Sequence, residues 1–468
     1  MIYMIFYWRL EDGLRKNDRM GAMSTPNRQI KTFYIESLGC AKNSVDSRSM
    51  AELLDMAGYE ECFQPEESDL IIVNTCGFIQ PAREESLQVL RDFAREKRPG
   101  QYLVAAGCLG EREKQQLAGQ VNGLDAALGT RRWSEITAVV DKLKHPGDSP
   151  YFYFPPTEQI VESDQPIVRA ALQGSSAYLK IADGCDRGCA FCAIPLIKGP
   201  MFSRPIPEIV ADAQALAQAG AKEIILIAQD TTAYGRDLGM KDGLAVLLRE
   251  LTVTVPEIPW VRVMYTFPGM HAEPLIELMA AHNNILPYLD MPLQHAHPDV
   301  LKRMRRPADM HWVRDTLAKF RRAIPDVALR TTFIAGFPGE TEAEFQELLD
   351  FTSETRFDHV GIFPYYHEAD TPAYTLEDSV PAEIKEERIQ RLAALQEEIS
   401  RSRNQEWVGR ELDVLIEGVG DGISVGRSFR DAPEIDGLVL LDEVLEVDEL
   451  VRVRVSGALT HDLMAEQI

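Results

Sequence analysis

Between Lys31 and Ala127 the chain repeats one pattern three times: an apolar run of strand length, a cysteine just past its end, then a stretch with the 3.6-residue period of an amphipathic helix. Thr32 to Leu38 runs into Cys40, Leu70 to Asn74 into Cys76, and Tyr102 to Ala106 into Cys108. Met50, Leu53, Leu54 and Ala57 mark one helix face, stopped by Gly58; Leu87, Leu90 and Phe93 mark the next. Alternating strands and helices predict an open parallel sheet. Parallel strands point one way, so the three cysteines are predicted to meet at the carboxyl edge, where such sheets place their ligands.

A second alternating series runs from Ser176 to about Tyr366, with strands predicted near Tyr178 to Ile181, Ile224 to Ala228, Trp260 to Tyr265, Tyr288 to Met291, Leu329 to Ala335 and Val360 to Pro364. Six units without an eighth suggest a partial TIM-like barrel, again with function at the carboxyl ends of its strands. A charged helix follows over roughly Ala382 to Gln405. Beyond it, Glu411 to Glu417, Ser424 to Arg427, Leu438 to Leu441 and Val451 to Val455 alternate like strands between Gly-rich turns, predicting a small antiparallel β-barrel. The expected class is therefore α/β in three parts: 29–145, 171–402 and 403–468. Residues 1–28 lie ahead of the first strand and are expected to be a disordered or artefactual extension.

No apolar run approaches the ~20 residues of a membrane span, so no membrane partner and a cytoplasmic location are expected. The net charge of −24, from 73 acidic and 49 basic residues, argues against tight general binding to nucleic acid and favours a basic protein partner. Seven cysteines without a secretion signal argue against a disulfide framework.

Cys185, Cys189 and Cys192 form C-x-x-x-C-x-x-C in the loop after the first barrel strand. Three thiolates can hold three irons of a 4Fe-4S cube and leave the fourth open to a substrate. The competing reading is structural zinc, which needs a fourth ligand that the neighbouring sequence does not offer. Cys40, Cys76 and Cys108 read either as buried structural cysteines or as a second three-thiolate cluster. Cys62 falls between a helix end and the next strand, and reads as structural. Gly336 and Gly339, in Gly-Phe-Pro-Gly-Glu after the fifth barrel strand, are candidates for close backbone approach to a cofactor, against the plainer reading of a turn. Gln229, Asp230, Gln294 and His295 follow strands and either line the barrel mouth or cap and pack. His297 begins a helix.

The cysteine triad, with Phe191 before its last member, resembles the radical S-adenosylmethionine superfamily. Ser-Leu-Gly-Cys-Ala-Lys-Asn, Asn-Thr-Cys-Gly-Phe and Ala-Ala-Gly-Cys-Leu resemble the N-terminal domain of the methylthiotransferase family within it, and the C-terminal segment resembles that family's TRAM barrel. The resemblance implies two 4Fe-4S clusters, on Cys185, Cys189 and Cys192 and on Cys40, Cys76 and Cys108. It implies S-adenosylmethionine as both methyl donor and source of a 5′-deoxyadenosyl radical, and an electron donor such as a flavodoxin or ferredoxin. The auxiliary cluster would carry the transferred sulfur.

One branch of the family modifies adenosine in tRNA; another modifies the β-carbon of an aspartate in small-subunit ribosomal protein twelve. From Asn404 onward there are five arginines, no lysine and fifteen acidic residues, a balance that repels RNA and suits a basic ribosomal protein. Asp-Ala-Pro-Glu-Ile-Asp-Gly, from Asp431 to Gly437, resembles the ribosomal-protein branch, and its acids Asp431, Glu434 and Asp436 are expected to meet the substrate. The tRNA reading would need a basic grip, for which Lys302, Arg303, Arg305 and Arg306 are the candidates. A non-catalytic ribosome-associated metal-binding protein is the more distant alternative, and the triad argues against it.

Overall fold

A computed structural model of the protein describes residues 30–144, 150–157, 159–269 and 272–468. The extension expected over residues 1–28 lies outside them.

The N-terminal domain is a parallel sheet of β1 (Thr32–Ser37), β2 (Glu60–Glu61), β3 (Leu70–Thr75), β4 (Tyr102–Gly107), β5 (Ala126–Leu128) and β6 (Tyr151–Tyr153), in the order β2-β1-β3-β4-β5-β6. Every residue of β3 is buried, as a central parallel strand covered on both faces should be. Helices α1 (Ala41–Met56), α2 (Gln80–Glu96) and α3 (Cys108–Glu113) leave the carboxyl ends of β1, β3 and β4. Cys62 does follow a strand, contrary to the sequence reading: β2 has only two residues, too few to leave a periodic signal, and pairs at the sheet edge.

The middle of the chain forms the partial barrel. An antiparallel edge strand β7 (Ala170–Gln173) precedes β8 (Ser176–Lys180), and the short β9 (Ala182–Asp183) and β10 (Phe202–Ser203) pair across the base of the cysteine loop. The remaining parallel strands are β11 (Glu223–Ile227), β12 (Trp260–Val263), β13 (Tyr288–Asp290), β14 (Ala328–Ala335) and β15 (His359–Pro364). With β8 they are the six expected strands. Between β12 and the segment leading into β13 there is an isolated bridge, Val261 to Ile285. The predicted charged helix spans Ala382–Gln405.

The C-terminal barrel closes in the order β16-β17-β18-β20-β19, from β16 (Glu411–Gly420), β17 (Ile423–Ser428), β18 (Val439–Leu441), β19 (Leu450–Ala458) and β20 (Leu463–Gln467). It is not purely antiparallel: β18 and β20 pair in parallel, and β20 is a strand the sequence reading left out. Closure removes the exposed edges that an open sheet would present.

The segment between β17 and β18 docks the small barrel on the large one. Asp436 accepts from the Tyr288 hydroxyl at 2.5 Å and pairs with Arg330 at 3.2 Å, and Asp431 accepts from Ser428 at 2.7 Å. The Asp431 and Asp436 side chains are 5 % and 1 % exposed. They are therefore committed to the seam between domains and do not face a substrate; only Glu434 of the three stays exposed. Among the described residues no helix is long and apolar enough to cross a membrane.

Candidate functional site

Cys40 precedes the first turn of α1, Cys76 follows β3 directly, and Cys108 opens α3 after β4. The three segments touch. A Cβ on Gly39, whose φ is +94°, would lie 2.8 Å from Cys76 Cβ, and one on Gly77 would lie 2.8 Å from the Cys108 carbonyl. Glycine is required at both, because any side chain there would wedge the cysteines apart. Asn43 ties the cradle, donating to the carbonyls of Leu38 at 2.9 Å and Thr75 at 3.0 Å, while the Cys108 thiol donates to its Oδ1 at 3.7 Å. Burial, reinforced by the neighbouring Cys40, pushes the Cys76 thiol up to about 11. Burial likewise raises Cys108 to about 12. Positive charge brought by iron would reverse that penalty, since metal-bound cysteine is thiolate. The donor set and the glycine cradle fit a cluster.

The second set sits on the loop that β9 and β10 close at its base. Cys185 donates its N–H to the Gly199 carbonyl at 3.0 Å, and Ala190 donates to Met304 at 2.8 Å. Each sulfur has a donor aimed at it: the Arg187 amide to Cys185 at 3.4 Å, the Ile194 amide to Cys192 at 3.5 Å, and the Arg306 guanidinium to Cys189 at 3.7 Å. Such donors stabilise sulfur as thiolate and are what a cluster's sulfurs take from a protein. Burial pushes Cys185 up to about 11 and Cys192 up to about 12.

Arg306 was grouped with the basic run as an RNA grip, and the structure corrects this. It is buried against Cys189, donates to the Pro292 carbonyl, and stacks on Phe267 at 4.1 Å, with Arg187 on the same ring at 4.0 Å. Lys302 pairs with Asp299 at 2.8 Å and Arg303 with Glu344 at 3.0 Å. Arg306 and Phe267 were missed because each stands far from the triad in sequence. Arg187 lies inside the motif, where its position was the available signal.

Asp230 joins the site by pairing with Arg187 at 2.7 Å, and also caps its own turn by accepting from the Ala233 N–H at 3.2 Å. Gln229 Oε1 is buried without a hydrogen-bond partner. His295 is fully buried beside Glu340 at 3.4 Å, and His297 does cap a helix, accepting from the Asp299 N–H at 3.2 Å. Gln294, after β13, has φ +76°. Gly336 ends β14 with φ +77°, and the Lys385 side chain fills the space where its Cβ would go; Gly339 is exposed next to Arg303.

Lys42 stands in the first turn of α1, two residues beyond Cys40. Its ammonium sits 3.1 Å from the centre of the Tyr265 ring, at the carboxyl end of β12. Tyr265 has φ +61° and is pinned there, its N–H donating to Asp290 at 2.9 Å and its carbonyl accepting from Thr231 at 3.1 Å.

Three family descriptions match the chain in order: Uncharacterized protein family UPF0004 over residues 32–129, the Radical SAM superfamily over 179–352 and the TRAM domain over 408–468. The chain is 48 % identical to the ribosomal protein uS12 methylthiotransferase RimO of Roseiflexus sp., covering 93 % of this chain and 97 % of that one. It is 47 % identical to the protein of the same name from Chloroflexus aurantiacus, covering 93 % and 99 %. Among solved structures, the radical S-adenosylmethionine methyltransferase TsrM from Kitasatospora setae shares the fold, with a TM-score of 0.55 at 13 % identity over 85 % of this chain and 77 % of that one.

Proposed function

The chain belongs to the ribosomal protein uS12 methylthiotransferase family and carries a radical S-adenosylmethionine domain, and we propose from that premise that it places a methylthio group on the β-carbon of an aspartate in that ribosomal protein. The observation that carries the proposal is the presence of two separate three-thiol sets, each built at the carboxyl end of a parallel sheet. Cys185, Cys189 and Cys192 would hold the 4Fe-4S cluster that takes S-adenosylmethionine, and Cys40, Cys76 and Cys108 a second. When bound, these groups supply a 5′-deoxyadenosyl radical and the sulfur to be methylated and transferred.

The chain's own residues supply the setting. Amide and guanidinium donors aimed at the loop sulfurs would support them as thiolates once iron is bound, and Phe267 carries both Arg187 and Arg306 on its ring beside the loop. Gly336 and Gly339 stay candidates for backbone approach to the cofactor, although the space that Gly336 leaves is taken by the Lys385 side chain. Among the described residues no three His, Cys, Asp or Glu side chains gather as one metal ion requires, whereas cluster thiolates each take a different iron. The working units are 29–145 for the auxiliary cluster, 171–402 for the radical core and 403–468 for the TRAM barrel, in a cytoplasmic enzyme reduced by a flavodoxin or ferredoxin.

The test supplies purified enzyme, reductant, sulfide and S-adenosylmethionine with either uS12 or unmodified tRNA, and looks by mass for a gain of one CH2S unit. The gain is expected on an aspartate of the protein. Methylthiolated adenosine with the protein untouched would overturn the reading in favour of the tRNA branch.

A further inference from the structure

Lys42 is a buried basic residue without a carboxylate of its own. Its residue is only 9 % exposed, and its ammonium makes no hydrogen bond or ion pair with another described residue; the Tyr265 ring is its contact. A ring face compensates a desolvated ammonium only in part, and a hydrogen-bonding anion completes it. The nearby carboxylates are committed elsewhere. Asp290 pairs with Arg330 at 2.9 Å and accepts from the Tyr265 N–H, and Asp183 is held by Lys180 at 3.1 Å.

Its place is as informative as its charge. Lys42 is two residues from Cys40, and Tyr265 is two residues from Phe267, whose ring carries the guanidinium that touches Cys189. The short Tyr265 to Phe267 strap therefore runs from one thiol set to the other. A substrate carbon that reacts between the two sets would come within reach of this strap.

We propose that Lys42 is the specificity-determining residue that receives the carboxylate of the substrate aspartate. This rests on the aspartate reading above. The β-carbon of aspartate is one bond from its carboxylate carbon, so fixing the carboxylate on Lys42 fixes the reacting carbon as well. Tyr265 holds the ammonium in place, and its own strained backbone is held by Asp290 and Thr231.

The experiment uses the reconstituted full-length enzyme and two fluorescent peptides spanning the target loop of uS12, one with the native aspartate and one with asparagine in its place. Binding is read by anisotropy and modification by mass. The native enzyme should prefer aspartate over asparagine by about 100-fold in kcat/KM, with a matching preference in binding, because a site built for a carboxylate rejects its neutral isostere. Lys42→Met should reduce that ratio to within about 10-fold, chiefly by losing the aspartate peptide, and Lys42→Arg should keep most of it. Iron content, measured first, establishes that the variants are loaded. If Lys42→Met weakens both peptides equally and leaves the ratio intact, Lys42 serves a cluster or the packing and the proposal is overturned. If the native enzyme neither binds nor modifies the aspartate peptide or intact uS12, the aspartate reading itself has failed and the proposal falls with it.

Discussion

Two of the cysteines lie at opposite ends of the site's chemistry, and single replacements separate them. Enzyme reconstituted without oxygen should hold about eight irons per chain, two cubes of four. Cys189→Ala should halve that count and abolish release of 5′-deoxyadenosine. Cys76→Ala should also halve it, yet leave that release intact while ending sulfur transfer. Cys62→Ser should change neither, since Cys62 belongs to the edge of the sheet rather than to the cradle that Gly39 and Gly77 keep clear. Tightly bound zinc with one cluster would contradict the assignment. Arg306 calls for a different measurement. It brings a positive charge and a hydrogen bond to Cys189, and both favour the more negative, reduced cluster. Arg306→Met should therefore retain the iron and lower the reduction potential of that centre by tens of millivolts, on the order that hydrogen bonds and local charge tune such clusters. An unchanged potential in the loaded variant would remove Arg306 from the site.

At the scale of elements, the docking of the small barrel turns on Glu223 at the start of β11. It accepts from Arg262 at 2.7 Å and from Arg427 of β17 at 2.7 Å, all three fully buried. Burial alone would raise its carboxyl, but the two guanidiniums win and hold it at about 2, below the ordinary 4.5. A depressed carboxylate contributes stability that is complete above its unfolded value and is lost as pH falls through the folded one. Glu223→Gln should therefore cost about 3 kcal/mol at neutral pH, for two buried cations left with too little anion, and the gap to the native enzyme should narrow between pH 4.5 and 2. Urea midpoints at pH 7 and pH 3 check this; a gap independent of pH would mean that the charge of Glu223 is not what the seam uses.

None of this seam was legible in the sequence. The six barrel strands were, because a buried parallel strand reads as an uninterrupted apolar run, as Ile224 to Ile227 does. Cys40, Cys76 and Cys108 were, because each follows such a run, and Cys185, Cys189 and Cys192 were by their spacing. Asp431 and Asp436 were misread because composition counts charges without showing which are paired: Asp436 meets Tyr288 and Arg330, more than a hundred residues away, and Asp431 meets Ser428 and the distant His359. Arg306 escaped for the same reason. Strand β20 pairs partly with β18 in parallel, an arrangement that local alternation does not encode.

Over the whole molecule, the two thiol sets can cooperate only if the N-terminal domain keeps its seat on the radical barrel, and one charge cluster governs that seat. Asp46 of α1 reaches into the barrel, where it meets Lys180 at 2.5 Å, Arg169 at 2.9 Å and Lys198 at 2.9 Å. Asp183 is the second anion, 3.1 Å from Lys180 and 3.4 Å from Arg169 and Lys198. No side chain of the five is more than 3 % exposed. Three cations thus share these two buried carboxylates, Arg169 also reaching the partly exposed Glu162 at 3.4 Å, and despite burial the cations hold Asp46 well below the usual carboxylate range. Replacing Asp46 by Asn keeps the shape but leaves Lys180 and Lys198 to Asp183, and Arg169 to Asp183 and the partly exposed Glu162, a loss of about 3–5 kcal/mol by analogy with other broken buried pairs. Because α1 starts at Cys40 and carries Lys42, its displacement should act on transfer more than on radical formation. Asp46→Asn is therefore expected to lower the melting temperature and to reduce methylthio transfer by at least about 10-fold, while release of 5′-deoxyadenosine per loaded enzyme falls far less, because sulfur delivery depends on positioning across the seam. A variant that loses both reactions in equal proportion would show that the cluster of charges only stabilises the fold. One that loses neither would show that the seat of the N-terminal domain is held instead by the apolar cluster that Val45 shares with Tyr178 and Ile225.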